Sequence, residues 1–193
     1  MNLVIIKYNA GNIHSVRLAL NRLGLEPQVT DDYQDIQNAD RVIFPGVGEA
    51  SSAMRFLIAR KLDTLIPALD QPVLGICLGL QLMCRYSEEN NTNCLNIFNA
   101  DVLRFPPDQK VPHMGWNTIS HLSGDLFKNI PERSYLYFVH SYYAAKCDQT
   151  VGQSDYILPF SAALQKDNFY AVQFHPEKSG MTGEKILKNF IEI

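Results

Sequence analysis

The 193-residue chain has little that would mark it for a membrane, a nucleic acid or an oxidising compartment. No apolar run approaches the length needed to span a bilayer. Met1-Asn2-Leu3-Val4-Ile5-Ile6-Lys7 lacks a basic region followed by a long apolar stretch and a cleavage site, so a secretory leader is not expected. A net charge of −3 gives no electrostatic footprint for nucleic acid. The four cysteines (77, 84, 94 and 147) have no metal-binding spacing such as Cys-x-x-Cys, and a chain of this size does not need disulfide staples. Neither a metal nor an organic cofactor is expected, and a reduced, cytoplasmic setting is. Repeats, low-complexity segments and linker-like stretches are also missing, so residues 1–193 are expected to form one domain. Against these absences, 46% hydrophobic and 19% charged residues are ordinary for a globular protein with a sizeable core.

The first half alternates short apolar runs with helical patterns. Leu3 to Tyr8 predicts a strand, Asn9 to Asn12 a loop, and Ile13, Val16, Leu20 and Leu23 a helix closed by Gly24. Pro27 to Thr30 predicts a second strand, Asp31 to Ala39 a polar connection, and Arg41 to Phe44 a third strand broken by Pro45-Gly46-Val47-Gly48. A helix carrying Ala53, Phe56 and Leu57, helical turns over Leu62 to Leu69, and a strand opened by Pro72 follow. Right-handed crossovers between such strands give a parallel sheet covered on both faces. From Asn90 onward, short runs predict mostly antiparallel strands added to that sheet or packed across it: Leu95 to Phe98, Val102 to Phe105, Thr118-Ile119, Tyr135 to Val139, Tyr142 to Ala145, Ser161 to Gln165 and Tyr170 to Phe174. Gly183 to Ile191 predicts a closing helix. The expected fold is therefore an α/β three-layer open sheet, largely parallel with added antiparallel strands.

One stretch organises the chemistry. In Val73-Leu74-Gly75-Ile76-Cys77-Leu78-Gly79-Leu80-Gln81 an apolar strand runs into a helix with Cys77 at the joint and a glycine two residues to either side. This is the cysteine form of a nucleophile elbow, whose sharp turn leaves no room for flanking bulk and exposes the thiol at a helix N-terminus. Unpaired N–H groups there favour thiolate over thiol. A structural cysteine between two glycines is the other reading of the stretch alone. Phe174-His175-Pro176-Glu177 ends the last strand with an imidazole and a carboxylate held two residues apart by proline. A cysteine nucleophile needs such an imidazole, and the imidazole needs a group to fix its tautomer. An oxyanion site could come from the Leu78 N–H and from the loop Gly46-Val47-Gly48, whose glycines let the Val47 peptide turn inward. A phosphate-binding turn is the alternative for that loop. In an open α/β sheet ligands bind beyond the carboxyl ends of the strands, where all three pieces fall.

Gly75 to Gln81 together with Phe174-His175-Pro176-Glu177 resembles the signature of class I (triad) glutamine amidotransferases. Pro45 to Gly48, Pro112-His113-Met114-Gly115-Trp116-Asn117, Phe138-Val139-His140-Ser141-Tyr142, Lys166 to Tyr170 and Glu177 to Gly180 narrow the resemblance to the glutaminase subunits of imidazole glycerol phosphate synthases, over essentially the whole chain. Glu49-Ala50-Ser51-Ser52 is not part of that pattern and leaves the pose of the preceding loop open. The resemblance implies a flavodoxin-like amidotransferase fold without a synthetase domain. It makes Cys77 the nucleophile, His175 the general base and acid, and Glu177 its orienter. Gln81 and the backbone of His140, Ser141 and Tyr142 would hold the substrate L-glutamine, and Gly46, Val47, Gly48 and Leu78 would form the oxyanion site. Asn12, Met114, Trp116 and Lys178 would face a (β/α)8-barrel cyclase in a heterodimer. Trp116, bracketed by Gly115 and Asn117, reads as loop rather than core. The expected reaction releases glutamate and passes ammonia to the cyclase for imidazole glycerol phosphate synthesis in histidine biosynthesis. The alternatives are a glutaminase serving another acceptor such as a surface sugar, a γ-glutamyl or cysteine peptidase of the same fold, and a non-catalytic module using Cys77 for redox sensing or phosphate capture.

Overall fold

The computed structural model describes residues 1–9 and 11–193; Ala10, inside the predicted loop 9–12, lies outside the described residues. In chain order the elements are β1 (Leu3–Ile6), α1 (Ile13–Arg22), β2 (Gln28–Thr30), α2 (Tyr33–Gln37), β3 (Arg41–Gly46), α3 (Ala50–Ala59), α4 (Leu62–Leu65), β4 (Val73–Cys77) and α5 (Leu78–Met83). The second half adds β5 (Tyr86–Ser87), β6 (Thr92–Asn93), β7 (Asp101–Arg104), β8 (His113–Thr118), β9 (Tyr135–His140), β10 (Tyr142–Ala144), β11 (Thr150–Tyr156), β12 (Leu158–Lys166), β13 (Phe169–Val172) and α6 (Gly180–Glu192). Among the described residues the main sheet runs β2-β1-β3-β4-β13-β12-β10-β7-β5-β6, with β11 also paired to β12, and β8 and β9 form a separate antiparallel ribbon. The block β2-β1-β3-β4-β13 is parallel throughout, and antiparallel pairing begins at β12.

Both faces of β1, β3, β4 and β13 are buried, and the two-residue period of a strand divides their side chains between two cores. Val4, Ile6, Val42 and Phe44 pack beneath α3, α4 and α5 with Leu57, Leu62 and Leu80. Leu3, Ile5, Ile43, Leu74 and Ile76 pack against α1 and α6 with Leu20, Ile186, Leu187 and Phe190. This is the expected three-layer arrangement.

Several segments depart from expectation for identifiable reasons. Asp31 to Ala39 is not merely a connection: it contains α2, whose first turn is capped by the Asp32 carboxylate accepting from the Gln34 and Asp35 N–H groups. Pro45 does not break the third strand, which continues to Gly46. Pairing of β3 with β1 ends at Ile43, so Pro45 lies where the strand is paired only to β4. Leu62 to Leu69 is helical as expected, one α-helical turn followed by a 3-10 turn over Ile66–Ala68. Leu95 to Phe98 is not a strand. Its N–H groups instead cap the end of α5, Leu95 on the Leu82 carbonyl, Asn96 on Cys84, and Ile97 and Phe98 on Met83. Of the predicted Thr118-Ile119 strand only Thr118 belongs to one, as the last residue of the six-residue β8, and β11 is a strand the alternation did not reveal.

Candidate active site

The site lies at the carboxyl ends of β3, β4 and β13. Cys77 closes β4 with φ 54° and ψ −106°, a strained pose that turns the chain straight into α5. The two glycines are there because strand and helix nearly touch. A methyl group on Gly79 would collide with the Phe44 carbonyl of β3, and one on Gly75 with the Met83 sulfur and the Gly79 backbone. Cys77 is 5% exposed, and that small exposure opens into a cavity of about 320 Å³. Val47, Gly48, Leu78, Gln81, Glu89, His140, Ser141 and Tyr142 share its lining.

His175 follows β13 by three residues and is fully buried, as is its Glu177 partner's side chain; its Nδ1 lies 2.7 Å from Glu177 Oε1. Three contacts fix the backbone here. The His175 N–H donates to the Tyr137 carbonyl at 2.9 Å. The Ser179 hydroxyl donates to the His175 carbonyl at 2.6 Å and accepts the Tyr137 N–H at 2.9 Å. Burial would lower the imidazole pKa, but the charge and hydrogen-bonding capacity of Cys77, then Glu177, lift it to about 10. Nε2 nevertheless makes no hydrogen bond of ordinary geometry.

Asn12 belongs to this group. Asparagine at a helix N-terminus ordinarily turns back to cap it. Here Asn12 makes no side-chain cap on α1 and donates to Glu177 Oε1, the oxygen that also receives His175. It is thus turned inward, beside the Glu177 carboxylate.

The remaining expected residues separate into two sets. Val47, Gly48 and Leu78 line the cavity, while Gly46, packed against Tyr8 and Leu78, is not part of its lining; the Val47 carbonyl accepts the Gly11 N–H at 3.2 Å. Glu49, outside the recognised pattern, caps α3 through the Ser51 and Ser52 N–H groups. Hydrogen bonding, led by Ser51, holds its carboxyl at about 2. Met114 and Trp116 are 62% and 56% exposed. They stand on the outer side of β8, so Trp116 is on a strand rather than in a loop, and its ring meets Tyr137 edge-on. Lys178, also exposed, reaches over the same tyrosine ring.

Two residues in the site were not anticipated. Gln173, fully buried just after β13, accepts from Gln81 Nε2 at 3.0 Å and points its own amide N–H at the Cys77 sulfur, 3.7 Å away. A glutamine inside the apolar run Tyr170 to Phe174 was the available signal. Glu89 lines the cavity while one carboxylate oxygen accepts the Ala50 N–H at 2.7 Å; burial raises its pKa.

A cysteine in a strained elbow, a buried imidazole–carboxylate pair and an adjoining polar cavity make up a candidate site for cysteine-based amide chemistry. The family model for glutamine amidotransferase class-I matches residues 4–193. Imidazole glycerol phosphate synthase subunit HisH of Bacteroides thetaiotaomicron is 59% identical over 196 residues, and that of Bacteroides fragilis 60%, each alignment covering 100% of both chains. The structure of PurLQS from Thermotoga maritima shares the fold at a TM-score of 0.74 and 17% identity, covering 99% of this chain and 97% of that one. The chain belongs to the class-I glutamine amidotransferases and, within them, to the HisH subunits of imidazole glycerol phosphate synthase.

Proposed function

We propose that Cys77, His175 and Glu177 carry the glutaminase half-reaction of this histidine-biosynthetic amidotransferase, within one domain spanning residues 1–193 and in the cytoplasm. The observation that supports it best is the buried His175–Glu177 pair, 2.7 Å apart, set beside the elbow cysteine. With its proton passed to His175 Nε2, the Cys77 thiolate attacks the side-chain carboxamide carbon of glutamine, and the Leu78 N–H with the Val47-Gly48 loop receives the oxyanion. Glu177 holds the His175 proton on Nδ1, so Nε2 is the atom that gives its proton to the departing amide nitrogen. Ammonia leaves and a γ-glutamyl thioester remains. Nε2 then takes a proton from water, which attacks the thioester; glutamate departs and the thiolate returns.

The cavity chemistry suits the amino-acid end of glutamine. Gln81 spends both amide hydrogens on the Tyr142 carbonyl and on Gln173, which leaves its oxygen as an acceptor. With the Glu89 carboxylate it offers two acceptors to an α-ammonium group. The exposed face of β8 and β9, with Met114, Trp116, Tyr135 and the nearby Lys178, is the surface for a (β/α)8-barrel cyclase. Ammonia protonated in water is no longer a nucleophile, so it should pass to that partner along a sheltered path.

The test is Cys77→Ala in the complex with the cyclase subunit. Glutamine-dependent synthesis should fall by about a thousandfold or more, while synthesis driven by ammonium salts persists. Loss of both would contradict the ammonia-donor role, and retention of both would contradict the nucleophile.

A further inference from the structure

Two buried histidines outside the triad, His113 on β8 and His140 at the end of β9, form an unbroken chain of hydrogen bonds that ends at the glutamine cavity. The Asn117 oxygen accepts the Thr118 N–H at 2.8 Å, which turns its amide nitrogen toward the Asp155 carbonyl (2.9 Å) and His113 Nε2 (3.3 Å). His113 Nδ1 meets His140 Nε2 at 3.0 Å, and His140 Nδ1 meets the Tyr142 carbonyl at 2.8 Å. That carbonyl can only accept, so the His140 proton sits on Nδ1 and its Nε2 must accept. His113 then donates from Nδ1, and its Nε2 accepts from Asn117. Every link runs one way, from β8 to Tyr142, and both rings must be neutral. Burial supports this by lowering His113 to about 4 and His140 to about 3.

The chain does not stop there. Tyr142 oxygen also takes Gln81 Nε2 at 2.9 Å; the other Gln81 hydrogen goes to Gln173, whose amide faces Cys77. Fixing the Tyr142 carbonyl therefore fixes which end of the Gln81 amide looks into the cavity. At its other end, His113 and Asn117 are the inward-facing neighbours of the exposed Met114 and Trp116 on the same strand.

We propose that His113 is a positioning residue: acting through His140, it registers the placement of β8 and holds the Tyr142 carbonyl, and with it the Gln81 acceptor, in the pose that binds the amino-acid end of glutamine. This rests on the glutaminase reading of the cavity. His113 touches no substrate, and its loss should show in binding rather than in chemistry.

The test compares His113→Phe, which keeps the stacking on Tyr156 and Phe138 but removes the donor, with His113→Asn, whose amide nitrogen can stand where Nδ1 stood. In the complex with the cyclase subunit, His113→Phe should raise the KM for glutamine about tenfold with kcat changed less than about threefold, while His113→Asn stays within about threefold of the parent in both. Ammonium-driven synthesis should be unchanged in each. Nitrogen-15 NMR of the histidine-labelled parent chain should find both rings protonated on Nδ1, the minor tautomer of free histidine. An Nε2-protonated ring, an unmoved KM in His113→Phe, or equal impairment in the two variants overturns the proposal. If His113→Phe fails to fold, the NMR result decides. Glutamine turnover by the parent complex is the control: its absence overturns the glutaminase reading as well, whereas normal turnover with an unmoved KM overturns only the role of His113.

Discussion

The proposed nucleophile, Cys77, and its proposed base, His175, are held by two different kinds of structure. Cys77 stands on β4, an interior strand of the parallel block between β3 and β13, where backbones approach so closely that Gly75 and Gly79 have no room for a side chain. His175 is held by polar contacts, to Glu177, Tyr137 and Ser179, with Asn12 behind the carboxylate. Two of those contacts end on the Tyr137 backbone, in the ribbon whose outer face is uncovered apolar surface. Packing fixes a position permanently, because close-packed interiors deform little. Hydrogen bonds to an edge ribbon can be retuned by whatever docks on it. On the proposed reading, Cys77 is therefore the fixed half of the site, and His175 with the Gln81 cradle is the half that docking on the ribbon would adjust.

Substitutions on the two sides should accordingly fail in different ways. Gly79→Ala carries the largest expected cost. In an exposed helix this change stabilises by about 1 kcal/mol, but here the new methyl drives into the Phe44 carbonyl, and overpacking against backbone costs about 3 kcal/mol. The balance is unfavourable by about 2 kcal/mol, visible as a lowered midpoint in urea unfolding. Ser179→Ala should lose function with the fold retained: it leaves the Tyr137 N–H without its partner, reduces the His175 carbonyl to the Lys178 N–H alone, and loosens the base. We expect kcat for glutamine hydrolysis in the complex to drop about tenfold with KM nearly constant. If Ser179→Ala unfolds as readily as Gly79→Ala, or leaves kcat untouched, the division into a packed half and a tunable half is wrong.

What could be read from the sequence follows the same division. The elbow and His175-Pro176-Glu177 are each local, so their residue types and spacing carried the information. The polar partners were not local. Asn12 meets Glu177 across 165 positions, and Gln81 meets Gln173 across 92, contacts that only the strand order creates. Gln173 left a trace as a polar residue in an apolar run. His113 and His140 left none, because a histidine facing another histidine has no sequence signature. Leu95 to Phe98 misled because an apolar run looks the same whether it pairs as a strand or caps the carbonyls ending a helix, and only α5 being six residues long decided it. The Glu49 cap and α2 were legible in principle, since each begins with an acidic residue ahead of its helix.

The subtlest difference between the halves should appear in the pH dependence of stability. The folded pKa of His175 lies at about 10, above the value of about 6.5 in an unfolded chain. Its contribution is therefore fully present below pH 6.5 and is lost as pH rises through about 10. His113 and His140 have folded values of about 4 and about 3, below the unfolded value. The folded chain binds fewer protons at these two rings, so their contribution is present above pH 6.5 and fades as pH falls toward 3. Urea unfolding of the isolated chain should give a stability plateau with an acid shoulder from the histidine chain and an alkaline shoulder from the triad. Because Cys77 is the first group lifting His175, Cys77→Ala should flatten the alkaline shoulder and leave the acid one, while His113→Phe should shrink the acid shoulder alone. One variant that moved both shoulders would mean the two buried networks titrate as a single unit, and the separation between base and cradle would have to be given up.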